Sequence, residues 1–189
     1  MRVIAGSFRS RTLNAPPGLE TRPTSDRLRE TLFNVLAPRI EGARFLDLYA
    51  GSGAVGIEAL SRGAARAEFV EKEPGALKVL RANLAKLGIA GNVQVDAGSV
   101  ASALKRLSKA KGLFDLIFLD PPYDAADEYE STLRSLQTLL APGGLAIAEH
   151  RRKVKLGDRY GSLERTRLLE QGDAALSFYA ASLSASETV

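Results

Sequence analysis

The chain contains no cysteine, no tryptophan and only one histidine, His150. Without cysteine it can form neither a disulfide nor a thiolate metal site, and one histidine cannot supply the usual nitrogen ligands of a catalytic metal. The sequence also lacks the run of about 18 apolar residues that a membrane-spanning helix needs, and its first residues are too few for a signal-peptide core. We therefore expect a cytoplasmic, metal-free monomer with no role for His150.

Positive charge is concentrated at the front of the chain. The net charge is +4, and residues 1–44 hold eight arginines against four acidic residues, whereas the remaining 18 basic and 18 acidic residues balance. Because each arginine can pair with a phosphate and release its counterions, this distribution favours a polyanionic partner. A merely solvated basic surface is the alternative.

Short apolar runs alternate with longer segments of helical periodicity from residue 44 onward. The runs predict five strands: Phe45–Tyr49, Ala67–Glu71, Val93–Val95, Phe114–Leu119 and Leu145–Ala148. The longer segments predict four helices: Ala54–Arg62, Pro74–Leu87, Val100–Lys109 and Asp127–Leu140. This alternation predicts a parallel sheet with right-handed crossovers. Two further runs, Arg165–Leu169 and Ala175–Ala181, predict a closing antiparallel hairpin, which makes seven strands.

The residues before this alternation show a different pattern. Residues 1–14 alternate loosely and predict a short hairpin that ends before Pro16-Pro17-Gly18. Apolar residues then recur at helical spacing, and Thr24 or Ser25 can cap the helix that they predict. We expect this helix to run from about residue 26 to residue 36 and to be closed by Pro38.

A glycine-rich turn follows the first predicted strand. The stretch from Asp47 to Gly56 reads Asp-Leu-Tyr-Ala-Gly-Ser-Gly-Ala-Val-Gly, which places glycines at the GxGxxG spacing of nucleotide-binding turns. Glu71, twenty residues after Gly51 at the end of the next strand, can accept hydrogen bonds from ribose hydroxyls. The pattern indicates a nucleoside-containing cofactor, although a tight strand-to-helix turn in any such sheet also favours glycine.

Asp47 distinguishes between two classes of cofactor, a dinucleotide and S-adenosylmethionine. A carboxylate four residues before Gly51 would repel a pyrophosphate but attract the amino group of a methionine moiety. This composite resembles the first two motifs of class I methyltransferases, which implies S-adenosylmethionine and a Rossmann-like, doubly wound, mostly parallel sheet. For the adenine, Ser99 stands where many relatives carry Asp or Asn, so Ser99, its backbone and Asp96 are the candidates. The expected cofactor-binding residues are Asp47, Tyr49, Ala50, Gly51, Ser52, Gly53, Glu71, Lys72, Ser99, Val100 and Asp120.

Asp120-Pro121-Pro122-Tyr123 directly follows the strand Phe114–Leu119. It matches the [Asn/Asp]-Pro-Pro-[Tyr/Phe] motif of enzymes that methylate exocyclic amines, and it predicts these four residues as the catalytic group. The Asp120 carboxylate and the Pro121 carbonyl can each accept an N–H and turn the lone pair of the amine toward a methyl group. Tyr123 can stack on the base. The alternative is that the two prolines only end a strand.

The string Arg22-Pro-Thr-Ser-Asp-Arg-Leu-Arg-Glu-Thr-Leu-Phe-Asn34, with the start Arg2-Val3-Ile4-Ala5-Gly6, the glycine turn and Asp120–Tyr123, resembles the RsmD family. These are bacterial methyltransferases of 16S ribosomal RNA that act on guanine N2. The resemblance implies a guanine of small-subunit RNA in an assembled or partly assembled 30S subunit. It also implies an RNA-contacting extension over residues 1–40 and a methyltransferase domain over residues 41–189.

Seven arginines are candidates for RNA contact: Arg9, Arg11, Arg22, Arg27, Arg29, Arg151 and Arg152. Alternatively, Asp26 and Glu30 only pair with Arg27 or Arg29 on a helix surface. Three rival functions stay open: adenine-N6 methylation of DNA or RNA, an NAD-dependent oxidoreductase, and a non-catalytic RNA-binding assembly factor. The oxidoreductase hypothesis does not explain the Asp120–Tyr123 motif.

Overall fold

The computed structural model describes residues 1–16, 25–122 and 126–182. Within them the chain forms five helices: α1 (Asp26–Ile40), α2 (Ala54–Ser61), α3 (Pro74–Lys86), α4 (Val100–Lys109) and α5 (Ala126–Leu136). It also forms eight strands: β1 (Arg44–Leu48), β2 (Arg66–Val70), β3 (Val93–Asp96), β4 (Phe114–Leu119), β5 (Leu140–Arg151), β6 (Arg159–Tyr160), β7 (Leu163–Gln171) and β8 (Ala174–Ala181). No described helix has the length and apolar character of a membrane span.

The eight strands form one sheet in the order β3-β2-β1-β4-β5-β8-β7-β6. The first five are parallel, whereas β8 pairs antiparallel with β5, β7 with β8, and β6 with β7. Because β1 lies between β2 and β4, the chain reverses its direction of winding there, and ligands bind at such a point in open α/β sheets. The predicted doubly wound sheet with an antiparallel closing hairpin is confirmed.

Alternate residues of each strand face two hydrophobic layers. Phe45, Phe118 and Ile147 belong to the layer that contains α1, α2 and α3, whereas Leu46 and Leu119 belong to the layer that contains α4 and α5. Both faces of the sheet are therefore covered by helices, as an apolar parallel sheet requires.

Two predicted helix ends were wrong, and one strand was not predicted. Helix α1 does not close at Pro38 but includes it and ends at Ile40, whose buried side chain anchors the last turn in the core. Helix α5 ends at Leu136 rather than at Leu140, which already pairs with Phe114 as the start of a longer β5. The sheet has an eighth strand, β6, because two residues are too short to produce a period-2 pattern.

Residues 1–16, which we call the N-terminal strap, form a compact loop instead of a regular hairpin. Its strands meet in a single bridge, between Arg2 and Thr12. Val3 and Leu13 are buried in the same hydrophobic layer as α1, α2 and α3. The backbone N–H groups of Ile4 and Ala5 donate to the Glu58 carboxylate of α2, at 2.7 and 3.0 Å. The strap is thus docked onto the sheet domain by both apolar and polar contacts.

Candidate active site

The ends of β1, β2 and β4 meet at one edge of the sheet, beside the C-terminal part of β5. Leu48 is in register with Val70 of β2 and with Leu119 of β4, and Leu119 is in register with Ala148 of β5. The next residues along these strands, Tyr49, Glu71, Asp120 and Glu149, are brought to the same edge because parallel strands run in one direction. Of these, Tyr49, Glu71 and Asp120 line a cleft of about 1000 Å³ together with Asp47 and Ser52. The glycine turn and the Asp120 turn therefore open into a common cleft.

The turn after β1, residues 49–53, is called the glycine loop here. Tyr49, Gly51 and Gly53 have φ angles of 60°, 57° and 79°, in the left-handed region where glycine is least strained. Glu71 fixes this conformation, since one carboxylate oxygen accepts the Gly51 N–H at 2.8 Å and the other accepts the Glu73 N–H at 2.8 Å. Glu71 was predicted as a ribose acceptor, and in this structure it also holds the glycine loop.

Asp47 lies almost fully buried beneath the loop. One of its oxygens accepts the Gly56 N–H of α2 at 2.8 Å. The pKa of Asp47 is raised to about 8: loss of hydration is the main cause, the Gly56 hydrogen bond opposes it, and the nearby negative charge of Glu71 adds to it. Gly56 is required at this position, because a Cβ there would lie 2.3 Å from Cε1 of Phe69.

Asp120 begins the turn after β4. Burial raises its pKa well above the ordinary value, and the negative charges of Glu149 and Asp47 raise it further. Pro121 is buried and Pro122 is exposed, and both line the cleft. The fourth predicted catalytic residue, Tyr123, lies outside the described residues. The floor of the cleft thus holds clustered carboxyl groups that would be stabilised in their ionised form by a cation.

Most of the other predicted cofactor residues also line the cleft. They are Tyr49, Ala50, Gly51, Ser52, Glu71, Lys72, Ser99 and Val100. Gly53 is not part of the wall that the structure describes; it is the N-cap residue of α2, and a Cβ there would lie 2.3 Å from Cδ1 of Leu80. Ser99 caps α4 by accepting the Ser102 N–H, and Asp96 pairs with Arg106. Both adenine candidates therefore have structural partners already.

The predicted RNA-contacting arginines divide into two groups. Five are exposed on the surface: Arg9, Arg11, Arg27, Arg151 and Arg152. Arg152 also pairs with Glu170 at 3.0 Å. The prediction was wrong for Arg29, which is fully buried and bonds to the Asp26 carboxylate at 2.9 Å and to the Arg2 carbonyl at 2.6 Å. Arg22 lies outside the described residues.

Several cleft residues have no motif in the sequence. Met1, Ala15 and Pro16 of the strap line one end of the cleft. On α5, the Thr132 hydroxyl lies 3.1 Å from the Tyr49 hydroxyl and fixes that ring against the helix. Beneath the glycine loop, Asn83 of α3 is fully buried. Its sequence signal is a polar residue within the apolar stripe formed by Leu77, Leu80 and Leu84, which a search for catalytic motifs does not register.

The donor set fits a cationic nucleoside ligand better than a metal. The buried carboxyl groups of Asp47 and Asp120 favour a positive charge, the glycine loop leaves room for a close approach at Gly51, and the far wall is apolar at Val100. Within residues 1–16, 25–122 and 126–182, no group of three or more His, Cys, Asp or Glu side chains is arranged to hold a metal ion.

Comparisons with known proteins agree with this geometry. A family model described as "Conserved hypothetical protein 95" matches residues 1–180. "Putative rRNA methyltransferase YlbH" of Bacillus subtilis is 40% identical over 185 residues, which are 95% of this chain and 98% of that protein. "Ribosomal RNA small subunit methyltransferase D" of Escherichia coli K12 is 46% identical over 124 residues, 65% of this chain and 60% of that protein. The solved structure "Putative methyltransferase yhhF from Escherichia coli" has a TM-score of 0.83 at 38% identity and covers 96% of this chain and 97% of its own.

Proposed function

Because this chain belongs to the RsmD family, we propose that it transfers a methyl group from S-adenosylmethionine to the exocyclic N2 amine of a guanine in small-subunit ribosomal RNA. The observation that carries the proposal is the common cleft, in which the Asp47 and Asp120 carboxyl groups share one cavity. The names of the relatives supply the substrate class, ribosomal RNA. The Asp-Pro-Pro-Tyr motif supplies the class of acceptor, an exocyclic amine.

S-adenosylmethionine would contribute an electrophilic methyl group and two positive charges. The buried Asp47 carboxyl is the partner for its amino group, since burial disfavours a lone negative charge and a cation offsets that cost. The backbone of Gly51 and Ser52 forms the wall next to this group. Glu71, Lys72 and the turn at Ser99 line the part of the cleft that remains for the ribose and the adenine.

Asp120 and Pro121 would orient the acceptor amine. The lone pair of a guanine N2 is delocalised into the ring, so holding both N–H groups in acceptor bonds points the nitrogen at the methyl group without a strong base. The Asp120 carboxylate and the Pro121 carbonyl are the two acceptors, and the rigid proline backbone fixes the carbonyl direction. Because burial and neighbouring acids raise the pKa of Asp120, methyl transfer should become faster as the pH rises and this group ionises.

The RNA would reach the cleft over exposed basic residues. We propose Arg9, Arg11 and Arg27 as phosphate contacts of the front extension, residues 1–40, and Arg151 and Arg152 as contacts past β5, on the domain of residues 41–189. All five are exposed, and cations on a surface bind phosphates through counterion release. The substrate would be an assembled or partly assembled 30S subunit, with a cytoplasmic monomer as the enzyme.

The decisive experiment is methyl transfer from labelled S-adenosylmethionine to small subunits from cells that lack the gene, followed by nucleoside analysis. We expect N2-methylguanine. The Asp120→Ala variant, which removes this acceptor, should lose at least about a hundredfold in kcat, which corresponds to the loss of about 3 kcal/mol of transition-state stabilisation. It should also lose the rise of rate with pH.

Asp115→Ala is the matched control. Asp115 lies near the start of β4, whose other end leads into Asp120, and it pairs with Arg44 at 3.1 Å. This variant should retain normal methyl transfer. Label recovered as N6-methyladenine, or label found only in DNA, would refute the guanine assignment, and full activity of Asp120→Ala would refute the role of the Asp120 side chain.

A further inference from the structure

Asn83 is the point at which the N-terminal strap and the glycine loop are joined. Its side-chain carbonyl accepts the Asn14 N–H at 2.8 Å, and its amide nitrogen donates to the Asn14 carbonyl at 3.1 Å. The same nitrogen donates to the Ser52 carbonyl at 3.0 Å. One fully buried amide therefore satisfies both backbone groups of a strap residue and a carbonyl of the glycine loop.

The strap residues next to these contacts line the cleft. Ala15 and Pro16, directly after Asn14, line the same cleft as Ser52, and Met1 from the other end of the strap lines it too. The Leu13 N–H donates to the Met1 carbonyl at 3.0 Å, so both ends of the strap are held together where they meet the cleft. The strap thus forms a wall of the cleft instead of projecting from the domain.

No other side chain of similar size reproduces this junction. Aspartate can accept the Asn14 N–H but has no donor for the two carbonyls, and an apolar residue would leave the Asn14 N–H and both carbonyls without this partner. The bond to the Ser52 carbonyl is buried, so its loss would leave a buried carbonyl without this donor. Sequence requirements at this position are consequently set by the strap and the loop together.

We propose that Asn83 is a positioning residue that couples the strap to the glycine loop, so that cofactor binding and docking of the strap favour each other. The inference rests on the proposed function, because it takes the ligand of the cleft to be S-adenosylmethionine. Coupling of this kind is reciprocal, and a ligand that orders one element lowers the cost of ordering the other. Since Arg9 and Arg11 are exposed on the strap, the cofactor would also prepare the basic surface for RNA.

Hydrogen exchange of the intact protein tests the coupling with S-adenosylhomocysteine as the probe. The reporters are the backbone amides of Val3, Leu13 and Asn14, which donate to Arg11, Met1 and Asn83. In the wild-type protein, saturating S-adenosylhomocysteine should slow the exchange of these amides at least fivefold. In Asn83→Ala this protection should disappear, and the Kd measured by calorimetry should rise about tenfold.

Asn92→Ala is the matched control, because the Asn92 side chain is exposed and donates only to the Ala65 carbonyl among the contacts described. It should bind the probe with the wild-type Kd. If Asn83→Ala does not fold, Lys86→Ala takes its place: the Lys86 ammonium donates to the Thr12 carbonyl at 2.9 Å on the surface, outside the cleft. A threefold or larger rise in Kd from this change supports coupling through the strap, and an unchanged Kd contradicts it.

The two proposals fail in different ways. Wild-type protein that binds S-adenosylhomocysteine without slower exchange of the strap amides would overturn the coupling and leave the proposed function intact. An Asn83→Ala variant with unaltered Kd and unaltered protection would do the same. Wild-type protein that does not bind the probe at all would overturn both.

Discussion

Replacing Asp47 by asparagine should stabilise the ligand-free protein, and more so at high pH. Asparagine retains an acceptor for the Gly56 N–H but carries no charge. In the wild-type fold the pKa of Asp47 is raised from 3.8 to about 8, so the folded state holds a proton that the unfolded chain has released. The stability that this group contributes is therefore complete below pH 4, declines as the pH rises, and is lost above pH 8.

The size of the effect follows from the same two pKa values. Each unit of pH in that window is worth about 1.4 kcal/mol, so the buried charge costs about 6 kcal/mol above pH 8. The new amide N–H groups need partners that a carboxylate does not, and leaving them unsatisfied costs about 2 kcal/mol. We expect a net gain near zero at pH 5 and of about 4 kcal/mol at pH 8.5, which is a rise in Tm of roughly 8–16 °C.

Thermal unfolding without ligand, followed from pH 5 to pH 9, measures this difference directly. Asp115→Asn is the control with the opposite sign, because the Arg44 hydrogen bond lowers the pKa of Asp115, and that variant should be less stable than the wild type at pH 8.5. S-adenosylhomocysteine should raise the Tm of the wild type but not of Asp47→Asn. A Tm difference between Asp47→Asn and the wild type that is equal at pH 5 and pH 8.5 would show that Asp47 carries no uncompensated charge.

Two further predictions concern packing and charge. Gly56→Ala should lower the free energy of unfolding by about 1–3 kcal/mol, because the added methyl group meets the Phe69 ring. Gly75→Ala on α3, where no atom lies within 4 Å of the added methyl, should raise the free energy of unfolding by about 0.5 kcal/mol. Urea titrations measure both changes. Arg29→Ala should destabilise the fold by about 3–5 kcal/mol, because Asp26 and the buried Glu58 lose a cation. Arg27→Ala should leave stability unchanged, weaken the binding of small-subunit RNA and reduce the salt dependence of that binding. If Arg27→Ala lowered stability and Arg29→Ala affected only RNA binding, the assignment of Arg29 to the core and of Arg27 to the RNA surface would be refuted.

The sequence predicts the sheet well because its strands are buried on both faces and its helices have one apolar face. It fails where tertiary contacts override a local signal. Pro38 is a local stop signal, yet burial of Ile40 extends α1 by a further turn. Arg29 stands in a string of exposed-looking charges, and only the fold shows that Asp26 and Glu58 surround it. Motifs predict which residues line the cleft, but not that a strap 30 or more residues earlier in the chain completes the wall.

The sequence predicts Asp47 and Asp120 as site residues, but only the fold shows how their charges act on one another in the cleft. Asp47, Asp120 and Glu149 lie on or directly after three adjacent strands, and the negative charges of Glu149 and Asp47 each raise the cost of ionising Asp120. A fold under selection for stability alone would replace such a group of buried acids by apolar residues of similar volume. The acids are consistent with a site whose ligand is a cation. Binding of a cation would offset the cost of the buried carboxylates and so favour cationic ligands over neutral ones. Neutralising Asp47 therefore has to strengthen the fold and weaken the site at once, and a variant in which both properties moved in the same direction would contradict this account.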